Sequence, residues 1–93
     1  MTDITVTKND AAKRFEIAAD GATAELRYEE HPRYITLVHT EVPPALEGRG
    51  YGGALARTAL EYAREKHLRV VPRCPFVRAY LERHPEYADL VHA

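Results

Sequence analysis

The most chemically suggestive stretch of this sequence is Glu47-Gly48-Arg49-Gly50-Tyr51-Gly52-Gly53, a glycine-rich turn between an apolar, strand-like run and a helix-like one. Unpaired backbone N–H groups at a helix start converge on one spot and the helix dipole adds positive potential there, so such a turn is a cradle for anions. Glycine suits it because it tolerates positive φ and lets phosphate oxygens approach the chain. Arg49 adds a cation for a charge-assisted contact. The spacing does not meet the dinucleotide fingerprint G-x-G-x-x-G, and no Lys-Ser/Thr pair follows as in a Walker A loop. Taken alone, the turn also reads as a plain strand-to-helix connection.

His39 and Glu41 are two apart near the end of a strand, and either can take a proton from a substrate directly or through water. The competing reading packs His39 against the sheet and leaves Glu41 solvated. Cys74 stands just before Pro75, a favoured first helical residue, which puts its thiol at a helix N-cap where the dipole favours thiolate. That makes it a candidate nucleophile, against the alternative of a small buried hydrophobe. His84 precedes Pro85 at a helix end and reads as a structural cation, while His31, His67 and His92 carry no motif and read as surface residues.

The elements that must position these groups follow from periodicity. Phe15, Ile17 and Ala19 alternate with Arg14, Glu16 and Ala18, and Ala24, Leu26 and Tyr28 alternate with Thr23, Glu25 and Arg27. These are two half-buried strands joined at Asp20-Gly21, a dipeptide suited to a two-residue hairpin turn. Tyr34 to Thr40 reads as a third, more central strand whose alternation groups Ile35, Leu37, His39 and Glu41 on one side. After Pro43-Pro44 and the glycine turn, Leu55, Ala56, Ala59, Leu60 and Ala63 recur at helical spacing through about Lys66. The charges of Arg57, Glu61, Arg64, Glu65 and Lys66 form that helix's solvated face. Leu68 to Pro72 is a short buried strand reached by a helical crossover and hence parallel to the third. A second helix, with Val77, Tyr80 and Leu81 on its apolar stripe, runs from Pro75 to His84-Pro85. The expected class is an α/β fold with a mixed sheet in the order β-β-β-α-β-α, with an optional N-terminal edge strand around Ile4 to Thr7.

The bulk numbers narrow the function. A chain of 93 residues, 45% hydrophobic and 29% charged, holds one core, and residues 1–93 are read as a single domain. A formal net charge of −1 gives no basic footprint for nucleic acid and no polybasic patch for membranes. The start, Met1-Thr2-Asp3-Ile4, has no cationic and apolar leader pattern, so a cytoplasmic protein is expected. One cysteine excludes an internal disulfide, and the histidines lack zinc-site spacing, so no metal is expected. Monomer and homodimer both remain open.

The glycine turn resembles the GNAT superfamily pattern Q/R-x-x-G-x-G/A, with Glu47, Gly50 and Gly52 in the first, fourth and sixth places. Cys74-Pro75-Phe76-Val77-Arg78-Ala79-Tyr80 resembles that superfamily's later N-x-x-A-x-x-Y pattern, with Cys74 in the Asn place. Together with His39-Thr40-Glu41-Val42-Pro43, Pro72-x-Cys74-Pro75 and His84-Pro85-Glu86-Tyr87, the chain is similar to the small, stand-alone GNAT-like N-acetyltransferase family over Phe15 to Val91. The resemblance implies acetyl-coenzyme A as co-substrate, held by Val42, by Glu47 through Gly53, and by Cys74 and Tyr80. It implies transfer of an acetyl group to a primary amine of a small molecule or a protein lysine. Glu41 or His39 would serve as base, Tyr80 would protonate the departing sulfur, and Cys74 offers an acetyl-Cys route. Glu47 replaces the usual Gln or Arg, and the segments that build an acceptor site in larger relatives are missing. A coenzyme A or acyl-CoA binding module with little transfer activity is therefore the alternative.

Overall fold

The computed structural model describes residues 4–91, so the readings of Met1-Thr2-Asp3 and of His92 lie outside the described residues. Five strands form one mixed sheet in sequential order: β1 (Thr7–Asn9), β2 (Arg14–Ala19), β3 (Ala22–Glu30), β4 (Tyr34–Glu41) and β5 (Arg69–Pro72). The first four are antiparallel neighbours, and β5 joins β4 in parallel. Helix α1 (Tyr51–Glu65) makes the crossover, and α2 (Pro75–Arg83) follows β5. The order expected from periodicity is therefore present. The optional edge strand sits later than expected, at Thr7–Asn9, where Lys8 pairs across from Phe15 while Ile4 stays exposed.

Local sequence explains the turns. Asp20 and Gly21 both have positive φ, 50° and 74°, as a two-residue hairpin between right-twisted strands requires. Two 3-10 turns, Pro44–Leu46 and Pro85–Leu90, were not legible as periodic segments, because each is short and begins at proline. The second ends at Val91, which bridges Val70 and extends the β5 edge.

One face of the sheet carries the core. Phe15, Ile17, Ala24, Leu26, Tyr28, Ile35 and Leu37 meet Leu55, Ala56, Ala59, Leu60 and Ala63 of α1. Three alanines, Ala56, Ala59 and Ala63, keep the buried stripe of α1 slim. The other face is polar near its middle. Arg14 bonds Glu16 and Glu25 at 2.6 Å each, and Arg27 bonds Glu25 at 2.8 Å.

A bulge in β4 overturns one expectation. Arg27 pairs with His39 but Tyr28 pairs with Leu37, so Val38 has no partner on β3. An extra residue reverses the alternation beyond it. Ile35 and Leu37 face the core, and beyond the bulge Thr40, opposite Leu26, faces that way as well. His39 and Glu41 instead stand on the outer face, opposite Arg27 and Glu25. Among the described residues, no helix is long and apolar enough to cross a membrane.

Candidate functional site

The glycine turn enters α1 with Gly48 at φ 82° and Gly50, the N-cap, at φ 80°, both left-handed conformations that side chains disfavour. No side chain caps the helix, and its first turn has no acidic residue. The first helical bond runs from Ala54 N–H to the Gly50 carbonyl at 3.0 Å, so the amides of Tyr51, Gly52 and Gly53 lack intrahelical acceptors. They open into a cavity of about 400 Å³ lined by Thr40, Val42, Leu46, the turn and Phe76. A larger hollow of about 730 Å³ runs along the flank of α1 beside Ile4, Val6 and Tyr62.

The turn's members do not all serve the cavity alike. The Glu47 amide is engaged by the Pro44 carbonyl at 3.3 Å. Arg49 is paired with Asp20 of the hairpin turn, so it braces the turn against the sheet. Gly52 is glycine for a different reason from Gly48 and Gly50: a Cβ there would lie 2.7 Å from Cζ of Phe76. Tyr51 is buried, and Gly53 sits against the Tyr80 ring, 3.7 Å from where its Cβ would be.

Beyond the cavity, β4 loses its parallel neighbour. The last registered pair with β5 is Leu37 with Pro72, and the Leu37 carbonyl accepts the N–H groups of both Arg73 and Cys74 at 3.1 and 3.0 Å. From Val38 onward the edge of β4 is unpaired on that side. Cys74 is the N-cap of α2 as expected, yet its side chain makes no capping bond and is only 2% exposed. Its Sγ lies 3.1 Å from Thr40 Oγ1, across the gap between the diverging chains.

The remaining residues divide between the two faces. His39 Nε2 lies 3.4 Å from a Glu41 carboxylate oxygen on the outer face, and both side chains are well exposed. Tyr80 is on the helix side, half-buried, stacked on His84 with ring centroids 4.0 Å apart. Burial holds the Tyr80 phenol above its ordinary pKa, so it stays protonated. Val42 lines the cavity. The sequence reading missed Thr40, Leu46 and Phe76 as cavity residues. For Thr40 and Phe76 the available signal was position: both lie inside the quoted motifs, Thr40 between His39 and Glu41 and Phe76 between Pro75 and Val77.

The family model of the GCN5-related N-acetyl-transferases matches residues 14–90. The chain belongs to that family. It is similar to Protein NATD1 of mouse, 34% identical over 76 residues that make up 78% of this chain and 69% of the mouse protein. Protein NATD1 of Xenopus tropicalis is 30% identical over 87 residues, 90% of this chain and 80% of that protein. For the chicken protein of the same name the identity is 37% over 60 residues, and the match spans about half of its length, 54%. The solution structure of a GCN5-like protein from Staphylococcus aureus superposes with a TM-score of 0.73 at 29% identity, covering 100% of this chain and 92% of the other. The mixed sheet with its crossover helix is thus the GNAT-like fold, and the glycine turn occupies the start of that helix.

Proposed function

We propose that this GNAT-family chain binds acetyl-coenzyme A at the glycine turn and transfers the acetyl group directly to a primary amine. The observation that carries this is the uncapped N-terminus of α1, opening into a cavity walled on its far side by the freed end of β4. Amides of Tyr51, Gly52 and Gly53 suit a pyrophosphate, and the left-handed Gly48 and Gly50 let it approach. Val42 lines the way from the turn toward the gap between β4 and β5. The coenzyme, when bound, supplies an acetyl thioester.

Glu41 accepts the proton of the attacking amine, with His39 beside it to hold or pass that proton. As the new C–N bond forms, the C–S bond breaks, and the Tyr80 hydroxyl gives its proton to the leaving thiolate. Burial of Tyr80 supports this part, since the group must be protonated to act. The burial of Cys74 and its contact with Thr40 favour direct transfer over an acetyl-Cys intermediate. The acceptor is a small amine or a protein lysine.

Exposure of His39 and Glu41 on an otherwise uncovered sheet face favours a second reading, a coenzyme-binding module without its own acceptor site. Titration calorimetry with acetyl-CoA, coenzyme A and inorganic phosphate tests the site: selective binding of the two coenzymes is expected, and equal or absent binding rejects it. Thiol release across a panel of amines then tests transfer. If no amine raises release above hydrolysis, the module reading stands instead.

A further inference from the structure

Phe76 is 44% exposed, although its neighbour Val77 is fully buried. Scattered exposed aromatics need no explanation, but this ring packs against the glycine turn. It rests on Gly52 at the start of α1, so closely that a methyl group there would meet it at 2.7 Å. It is itself at the start of α2, following Pro75. The ring therefore spans the entrances of both helices and forms a wall of the cavity shared with Thr40, Val42, Leu46 and the turn.

We infer that Phe76 is the specificity wall of this cavity, holding the aliphatic part of the coenzyme's pantetheine arm while the turn amides hold the phosphates. The inference rests on the coenzyme reading above. A phenyl ring has no donor for a phosphate, so what it adds beside an anion cradle is affinity for an apolar segment next to the anion. Coenzyme A has such a segment, since a dimethyl-bearing chain leaves its pyrophosphate. Free phosphate and simple nucleotides lack one. Thr40, Val42 and Leu46 supply further lining for the same segment, and Gly52 is the space that lets the ring lie over the turn. Phe76 in this role touches the co-substrate and sets which anion is retained.

The test is titration calorimetry of wild type, Phe76→Ala and Phe76→Leu with acetyl-CoA and with adenosine 3′,5′-bisphosphate, which has the nucleotide end but no arm. Loss of one aromatic contact surface predicts about ten-fold weaker acetyl-CoA binding for Phe76→Ala, with bisphosphate binding changed less than about two-fold. Phe76→Leu keeps apolar bulk and should lose less than Phe76→Ala; it also carries the test if the alanine variant fails to fold. Unchanged acetyl-CoA binding in both variants overturns the inference, as does an equal loss for both ligands, which would make the ring a support of the turn. Failure of wild type to bind acetyl-CoA at all is a different result, and rejects the coenzyme reading itself.

Discussion

Thr40 Oγ1 and Cys74 Sγ meet at 3.1 Å across the gap where β4 and the chain leaving β5 diverge. The contact ties the cavity-lining end of β4 to the N-cap of α2, and it turns the only thiol of the chain inward. A nucleophile must be reached by its electrophile, and at 2% exposure this sulfur is not presented. Cys74→Ala should therefore retain transfer activity within about three-fold and lose only about 1 kcal/mol of stability. In wild type, an aromatic disulfide reagent should label Cys74 far more slowly than it does in urea. Mass spectrometry after mixing with acetyl-CoA should show no acetyl on Cys74; an adduct that passes to an amine would reinstate the covalent route.

Glu41 is proposed as the base, with His39 at 3.4 Å as its neighbour. General base catalysis contributes roughly 10²- to 10⁴-fold, so Glu41→Gln should lower kcat/KM for the amine by about 10² while leaving acetyl-CoA binding unchanged. His39→Ala should cost less. If His39→Ala carries the larger loss, the two roles exchange.

Tyr80 stays protonated because burial opposes the phenolate. Tyr80→Phe should lower kcat roughly ten-fold or more through loss of the acid, with little change in melting temperature. A variant with wild-type kcat and reduced stability would place Tyr80 in the core alone.

Gly52 and Phe76 should behave as a coupled pair. In a helix, Gly→Ala gains about 0.8–1 kcal/mol of propensity, and the ring it strikes is an exposed side chain able to swing aside. Gly52→Ala should thus melt within a few degrees of wild type yet bind acetyl-CoA more weakly, because the ring is displaced. In a Phe76→Ala background the same change should have little further effect on binding. An undiminished loss there would mean that the added Cβ obstructs the phosphates directly.

The C-terminal 3-10 turn is fastened to α1 by Tyr87, whose OH donates to the Glu61 carboxylate. That bond, with burial, raises the Tyr87 pKa to about 12. A phenol raised in the folded state contributes stability that is complete below its unfolded value near 10 and is lost as pH climbs through about 12. Wild type should therefore lose an increment of melting temperature between those values that Tyr87→Phe lacks. At neutral pH, Tyr87→Phe should cost about 1 kcal/mol, or roughly 4–8 °C for a domain of this size.

Much of the fold is written in local pattern. Period-two runs mark β2 and β3, Asp20-Gly21 supplies the positive φ of their hairpin, and the spacing of Leu55, Ala59 and Ala63 marks α1. Gly48 and Gly50 announce the turn, because only a few residue types tolerate their backbone, and Pro75 places Cys74 at an N-cap. These are properties of a few neighbouring residues, and neighbouring residues are what a sequence displays.

The tertiary structure alone decided which face each reactive group occupies. A bulge shifts facing by one residue without leaving a composition signal, so Val38 moved His39 and Glu41 to the outer face, away from Ile35 and Leu37. Arg49 was drawn to Asp20 and away from the turn's amides by the proximity of a hairpin 29 positions earlier. Cys74 was turned toward Thr40 by the divergence of two parallel strands, and Gly52 proved to be glycine on account of Phe76. Each of these outcomes depends on contacts between distant segments, which exist only once the sheet has closed over α1 and α2. The sequence by itself determined that a helix would begin at a glycine turn with its first amides unpaired; the fold determined which side chains stand around them.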